Sequence, residues 1–290
     1  MRRNYKLFAA GFLFPAVALY TGFLIIPILA SLYTSFTEWH AGITPVINGL
    51  TNYIRIFHDP YYWKVLFNTF KLIGLSLLIQ VPSGIILAYL IFKASRGAAF
   101  FRTAYFVPVI IAPVAIGTMF VLFYNGDVGP LNKFLEMIGL ESLTRSWLSA
   151  KGIVLYSVIF PQVWQYIGFF TVITLAALKT IPLEIFESAE IDGAKPFRVF
   201  FNLAIPLIWG VIIIDIILCI TGSFKSFDHP WIMTKGGPGV ESAYITIYMY
   251  KMAFTMNNFG VANAITVTIM TLSIGATIFI KKIFSSKEEA

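Results

Sequence analysis

The sequence predicts an all-α polytopic membrane protein with six transmembrane helices. Of its 290 residues, 58% are hydrophobic and 12% are charged, and the charged fraction is about half that of a soluble domain. Five uncharged runs are long enough to cross a bilayer as helices, which takes roughly 20 residues: 7–37, 72–92, 103–126, 152–178 and 252–280. A sixth run, 199–224, is interrupted only by Asp215. The runs are continuous rather than alternating, which is typical of membrane helices and not of membrane strands.

We place the helices, in order, at about 7–32, 65–92, 103–124, 152–178, 207–224 and 261–283. In the first helix, Pro15 and Pro27 are expected to produce kinks. The apolar stretch after the basic N-terminus exceeds the roughly 7–15 residues of a signal-peptide core, so we interpret it as a retained helix. Residues 131–139 are predicted to form a short amphipathic helix. Because no internal repeat or soluble domain is evident, residues 1–290 are predicted to form one transmembrane domain.

The distribution of Lys and Arg predicts the orientation in the membrane. Twelve of these residues fall in segments on the same side as the N-terminus, and eight fall in the longer segments on the opposite side. Since cytoplasmic segments are enriched in Lys and Arg, both termini and the connection 179–206 are predicted to be cytoplasmic, in a multi-pass protein of the cell membrane. The net charge of +7 forms no basic stripe, so nucleic-acid binding is not expected.

The connection 181–206 is the most unusual segment, because it carries carboxylates between two hydrophobic helices. Four of them fall within 184–192: Glu184, Glu187, Glu190 and Asp192. A proline near the start and Gly193 at the end favour a helix over 182–192. After a turn at Gly193, a second helix is predicted from about residue 197 until Pro206 ends it. The segment is therefore expected to form a helix–turn–helix on the cytoplasmic face.

Glutamates three residues apart line one side of the first of these helices, and like charges at that spacing repel each other. Compensating cations are therefore expected, either Lys195 and Arg198 or those of a partner protein. Phe186 and Ala189 share another strip of the same helix and are predicted to insert into a groove of that partner.

This segment resembles a motif of binding-protein-dependent ABC importer permeases. The resemblance is carried by Glu187-Ser188-Ala189, by Asp192-Gly193-Ala194 and by Ile205-Pro206, although Ser188 stands where the family has a second alanine and Ile205 where it has leucine. Residues 233–239, Met-Thr-Lys-Gly-Gly-Pro-Gly, are similar to an external segment of carbohydrate-importer permeases of the maltose/glycerol-phosphate type. Further similarity at 101–108, 163–169, 250–254 and 259–264 extends the resemblance over about 5–283.

The resemblance implies a type I ABC importer permease (MetI-like) fold. It implies import of a sugar or oligosaccharide by alternating access, with a second permease subunit as heterodimer partner, two ATPase subunits and an extracytoplasmic solute-binding protein. ATP and Mg would be bound by the ATPase, so no cofactor and no enzyme activity are expected in this chain. The coupling positions assigned on this basis are Glu184, Phe186, Glu187, Ser188, Ala189, Asp192, Gly193, Ala194 and Pro206.

The residues themselves argue against chemistry within the chain. A phosphate-binding loop needs Gly-Lys-Ser/Thr, and the chain contains no Gly-Lys dipeptide, so ATP hydrolysis must belong to a partner. His40, His58 and His229 are too widely separated to indicate a metal site. The acidic segment contains no histidine, so neither acid–base catalysis nor a membrane-embedded enzyme is indicated.

Five polar residues within the predicted helices are candidates for a substrate pathway: Gln162, Gln165, Tyr166, Asp215 and Asn263. Trp164 offers a stacking face for a sugar. These groups could equally hydrogen-bond between helices, and pairing of Asp215 with a partner subunit is as well supported as substrate contact. An ion-coupled secondary transporter is the alternative function. It predicts repeated halves with broken helices and more intramembrane ionisable groups than Asp215 and Lys71.

Overall fold

The computed structural model describes residues 2–94 and 96–285, with side chains over 11–94 and 96–284. Five helices within these ranges are long and apolar enough to cross a membrane: Gly11–Thr34, Pro60–Lys93, Val154–Leu178, Trp209–Thr234 and Phe259–Phe284. We call them the first, second, fourth, fifth and sixth spans. The pair Ala98–Ile110 and Pro113–Phe123 supplies a third span if it is counted as one. The predicted all-α polytopic membrane fold is confirmed.

The third span differs from the predicted helix 103–124, because its two halves meet at an angle of 91°. The break lies at Ile111 and Ala112, which have ψ angles of 134° and extended backbone. Pro113 causes this geometry, since a proline disfavours the α conformation in the residue before it. A continuous uncharged run carries no signal for such a break, so hydropathy predicted one straight helix.

The secondary-structure elements are otherwise close to the predicted ones. The helices are Arg2–Tyr20, Thr21–Ile25 (π), Ile26–Thr34, Thr51–His58, Pro60–Leu75, Ser76–Gln80 (π), Val81–Lys93, Ala98–Ile110, Pro113–Phe123, Pro130–Met137, Glu141–Leu143 (3₁₀), Val154–Leu178, Leu183–Ile191, Pro196–Val199, Phe200–Ala204 (π), Ile205–Leu207, Trp209–Phe224, Asp228–Thr234, Ile245–Tyr250, Lys251–Thr255 (π) and Phe259–Ser285. Two short strands, Thr37–Glu38 and Val46–Ile47, pair antiparallel with Thr37 opposite Ile47. The second span begins at Pro60, not at residue 65, because the aromatic residues after Pro60 continue its helix.

Three prolines within helical segments are preceded by π turns. Three of the π turns end two residues before a proline, at Pro27, Pro82 and Pro206. A proline ring clashes with the preceding turn and donates no hydrogen bond, and a π turn widens the helix at that point. The chain therefore continues as a helix where proline alone would predict an end.

The described chain divides into two compact units. The smaller unit contains the chain up to Pro60 together with Tyr248–Thr271, and the larger contains Tyr61–Ile247 together with the chain from Leu272. In the larger unit, one apolar cluster surrounds Phe170 and Phe186, and another surrounds Phe120 and Tyr244. That residues 1–290 form a single transmembrane domain stays a prediction.

Candidate functional site

The acidic helix (Leu183–Ile191) ends in a hydrogen-bonded glycine cap. Gly193 has a φ of +75°, a conformation that other residues adopt only with strain. The amide of Ala194 donates to the carbonyl of Ala189, and that of Gly193 donates to Glu190, each at 3.0 Å. This pair of bonds is a Schellman motif, which satisfies carbonyls that a helix end otherwise leaves open. Gly193 therefore fixes the turn that joins the two helices of the segment.

The polar side chains of the acidic helix face away from the protein. Those exposed are Glu184, Glu187, Ser188, Glu190 and Asp192. Within the described residues, the ion pair in this segment joins Glu190 to Lys93, at the end of the second span. Compensation by Lys195 and Arg198 was predicted, and neither forms an ion pair in that part of the chain. The cation comes from a helix distant in sequence, which sequence spacing does not reveal.

Phe186 holds the acidic helix against the rest of the larger unit. Its side chain is 0% exposed, its ring centroid lies 5.0 Å from that of Phe92, and Lys93 Nζ lies 5.6 Å from the same ring. The predicted insertion of Phe186 into a partner's groove is therefore corrected, because the side chain is already enclosed by its own chain. The most exposed large apolar side chains of this segment are Ile191, at 86%, and Phe197, at 75%.

The second helix of the segment runs through Pro206 instead of ending before it. It begins at Pro196 and continues to Leu207, and its π turn Phe200–Ala204 ends two residues before the proline. Val199 is buried, and the ring of Phe200 lies 4.8 Å from that of Tyr89 in the second span. Each helix of the segment thus packs one apolar side on the second span. The acidic side of the first helix remains exposed.

A cavity of about 390 Å³ lies in the larger unit, between the second, fourth and fifth spans. It is lined by Gln80, Gln162, Tyr166, Phe169, Phe170, Leu218, Cys219, Thr221, Gly222, Ser223, Lys225, Ser226, Phe227, Asp228 and His229. Ser226 Oγ donates to Gln162 Oε1 at 2.8 Å. His229 is 2% exposed, and its Nε2 has no hydrogen-bond partner in the described part of the chain. Polar and aromatic groups therefore line one common cavity.

Two of the five predicted pathway residues, Gln162 and Tyr166, line this cavity. Gln165, 0% exposed, donates instead to the carbonyls of Pro108 and Ile111, at 3.2 and 2.9 Å. It satisfies the open carbonyls at the break of the third span.

The last two pathway residues lie outside the cavity lining. Asp215 is 0% exposed and accepts a hydrogen bond from Thr174 at 2.9 Å; its Oδ1 has no partner among the described residues. Asn263 belongs to the smaller unit and donates to Thr34 Oγ1 at 2.9 Å. Trp164, predicted as a stacking face, is 39% exposed and its ring lies 6.0 Å from that of Phe120.

The Gly-Gly-Pro segment folds as a turn that one amide holds in place. Asn68 Nδ2 donates to the carbonyls of Val240, Glu241 and Ala243 at 3.0 to 3.2 Å. Ser242 Oγ donates to the Gly237 carbonyl at 2.8 Å. Asn68 was not predicted as a site residue, although an amide side chain within an apolar span is a sequence signal.

Three further residues of the cavity wall were not predicted as site residues: Lys225, Ser226 and His229. They follow the predicted end of the fifth helix and were read as part of a loop outside the membrane. The helix Asp228–Thr234 places them beside the fourth span instead. A cluster of polar residues next to a span end was the available signal.

Membrane helices, an exposed charged connection and a cavity lined by polar and aromatic groups together are typical of a polytopic transport permease. Residues 80–286 match the family described as the binding-protein-dependent transport system inner membrane component, and this chain belongs to that family. The probable ABC transporter permease protein YurN of Bacillus subtilis (strain 168) is 33% identical over 282 residues, which are 96% of this chain and 96% of the relative. The sulfoquinovosyl glycerol transport system permease protein SmoG of Agrobacterium fabrum is 27% identical, over 98% of this chain and 92% of the relative.

The fold is similar to a chain in the crystal structure of a bacterial alginate ABC transporter in complex with an alginate pentasaccharide-bound periplasmic protein. The TM-score is 0.84 at 22% identity, and the match covers 97% of this chain and 94% of that chain. The predicted ABC importer permease fold is thereby confirmed. The chain is a multi-pass membrane permease, a transport subunit rather than an enzyme.

Proposed function

We propose that this chain is one of two permease subunits of an ATP-driven importer for a sugar or oligosaccharide. A solute-binding protein would deliver the substrate from outside, and two cytoplasmic ATPase subunits would bind ATP and Mg. Membership of the binding-protein-dependent family supports the binding protein. The names of two similar proteins, which specify sulfoquinovosyl glycerol and alginate, support a carbohydrate substrate.

One observation supports the proposed coupling: the acidic helix is packed on its own chain by one apolar side and exposes its carboxylates on the other. Phe186 joins it to the core of the larger unit, while Glu184, Glu187 and Asp192 form no ion pair in the described ranges. Ile191 and Phe197 add exposed apolar surface beside these charges. A helix that is packed on the spans and exposes charged side chains is suited to bind an ATPase subunit. Movement of the bound helix would be transmitted to the spans through packed side chains.

Alternating access is the transport mechanism that we propose for this arrangement. ATP binding would close the ATPase dimer and move the docked helix, and the second and fourth spans would move with it. Nucleotide can shift the permease between inward and outward states only by its different affinity for the two. The acidic helix and both termini would lie on the cytoplasmic side, as the Lys and Arg distribution predicts.

The cavity is the proposed substrate pathway in this subunit. Sugars present hydroxyl groups and apolar ring faces, and the wall offers matching amides, hydroxyls and aromatic rings. Gln162 and Tyr166 are the residues of the predicted set that would contact substrate. The surroundings of Gln165, Asp215 and Asn263 support roles in holding helices together, since each is already hydrogen-bonded within the chain.

The coupling is tested with the chain co-expressed with its partner subunits and reconstituted in liposomes with the binding protein. Glu187→Ala and Gly193→Ala should lower uptake and substrate-stimulated ATP hydrolysis together. Glu136→Ala is the matched control, because Glu136 is also exposed on a short helix, Pro130–Met137, outside the acidic segment. Unchanged uptake and hydrolysis in both variants would remove the coupling assignment. Uptake that continues without the ATPase and collapses with an ionophore would favour the ion-coupled alternative.

A further inference from the structure

The short helix Thr51–His58 in the smaller unit has three distinct sides. Asn52 and Ile56 are buried, at 5% and 1% exposure. Leu50 and Ile54, four residues apart and therefore on one side of a helix, are 60% and 58% exposed. The third side is polar and exposed and carries Arg55. A soluble helix normally has only a buried side and a polar side, so the exposed apolar side needs a separate explanation.

Hydrogen bonds hold this helix at the level where membrane spans end. Asn52 Nδ2 donates to the carbonyls of Ser35 and Thr37 at 2.9 and 2.8 Å. Ser35 Oγ also lies 2.7 Å from the hydroxyl oxygen of Tyr53. The first span ends at Thr34, one residue before Ser35. The buried side of the helix is therefore attached to the end of the first span.

The start of the sixth span is attached to the same part of the smaller unit. The amide of Phe259, the first residue of that span, donates to the carbonyl of Trp39 at 2.9 Å. Along the chain, the short helix ends at His58, two residues before the second span begins at Pro60. We expect a helix fixed beside the ends of the first and sixth spans to lie at the membrane surface and not out in the aqueous phase.

The exposed apolar surface extends beyond the helix. In the preceding turn and strand, Ile43, Val46 and Ile47 are 59%, 62% and 70% exposed. No Asp, Glu, Lys or Arg occurs between Glu38 and Arg55. The first span, which precedes this segment in the chain, likewise exposes its apolar residues, since no residue of its apolar window is buried.

We propose that this surface, formed by Ile43, Val46, Ile47, Leu50 and Ile54, is immersed in lipid at the boundary between headgroups and acyl chains. Helices that lie in this zone combine an apolar face with cationic residues beside it, which reach the headgroups. Arg55 occupies that position here. The segment thus attaches the connection between the first two spans to the bilayer surface and orients it there.

The proposal is tested by site-directed spin labelling of the full chain in vesicles of phosphatidylcholine and phosphatidylglycerol. Ile47→Cys, Leu50→Cys and Ile54→Cys are labelled one at a time, and Arg55→Cys is the matched control on the polar side of the same helix. The only native cysteine, Cys219, is buried, so the unsubstituted chain measures background labelling. Collision with oxygen, which concentrates in lipid, is compared with collision with a water-soluble nickel chelate.

The ratio of oxygen to nickel accessibility should be roughly threefold or more higher at the three apolar positions than at residue 55, as for an interfacial helix. A nickel-dominated ratio at the apolar positions would show that they face water and would overturn the proposal. Low accessibility to both reagents would show that protein covers the surface, and would equally overturn it. Three separate positions keep the test decisive if one variant fails to fold.

Discussion

The acidic helix and Asp215 belong to the same compact unit, and both place carboxylates close to apolar spans, but their surroundings are opposite. The side chains of Glu184, Glu187 and Asp192 are exposed. Asp215 is fully enclosed and shares a hydrogen bond with Thr174. A carboxylate next to a membrane span therefore has no fixed role. The exposed carboxylates are accessible to a partner, whereas the enclosed Asp215 is hydrogen-bonded to a neighbouring helix of its own chain.

The largest expected effect tests the anchoring of the acidic helix. Phe186→Ala removes a fully buried ring and should destabilise the protein by about 3–5 kcal/mol, because a cavity remains where the ring packed. Phe197→Ala is the control, since that ring is 75% exposed and its loss should change stability by no more than about 0.5 kcal/mol. Thermal unfolding of the purified chain measures both. Equal melting temperatures for the two variants would contradict the anchoring role.

Replacement of Asp215 should cause the next largest loss of stability. Asp215→Ala leaves the Thr174 hydroxyl without its acceptor and should cost about 1–3 kcal/mol. Asp215→Asn retains an acceptor and should cost clearly less in the same melting experiment. Transport of the Asn variant should follow its stability. If uptake is lost while the melting temperature of Asp215→Asn is unchanged, Asp215 acts in transport and the contrast with the acidic helix fails.

A smaller loss of stability is expected when the glycine that ends the acidic helix is replaced. No atom lies within 4 Å of a Cβ added at Gly193, so Gly193→Ala should cost only backbone strain, about 1 kcal/mol at its positive φ. Gly74→Ala is matched to it, because Gly74 has equally open surroundings but lies in a regular helix, Pro60–Leu75. That variant should lose no stability and should gain up to about 1 kcal/mol. Melting temperatures that fall equally in both would refute the strain argument.

The ion pair between Lys93 and Glu190 should contribute least to the stability of the protein. Both side chains are partly exposed, at 31% and 56%, so Glu190→Gln should cost about 0.2–1 kcal/mol, and high salt should remove the difference. Glu184→Gln, at an exposed position without an ion pair in the described residues, should leave the melting temperature unchanged. A loss for Glu190→Gln that persists at high salt would indicate a role for Glu190 other than this pair.

Much of the fold follows from the sequence because the bilayer imposes strong rules. Uncharged runs located the spans, since a charged side chain is costly in hydrocarbon, and the fourth span lies at Val154–Leu178 against a predicted 152–178. The 91° bend before Pro113 was missed because hydropathy does not report backbone direction. The π turn before Pro206 was missed because the sequence does not show how a helix absorbs a proline.

The candidate site divides in the same way. The acidic helix and the cap at Gly193 follow from local sequence, because helix ends are determined by nearby residues. The role of Phe186 does not, since its burial depends on Phe92, far away in the chain. Gln162 and Gln165 looked equivalent in the sequence, yet one lines the cavity and the other supports the broken span.

The sequence by itself determined that the chain crosses a membrane, where its helices lie and which connection is charged. These properties depend on composition and short-range spacing, to which hydrocarbon and helix geometry respond directly. Only the tertiary structure decided which polar groups face the cavity, which aromatic ring anchors the acidic helix and which carboxylate is enclosed. Exposure of a side chain depends on neighbours from distant parts of the chain, and no local pattern records them.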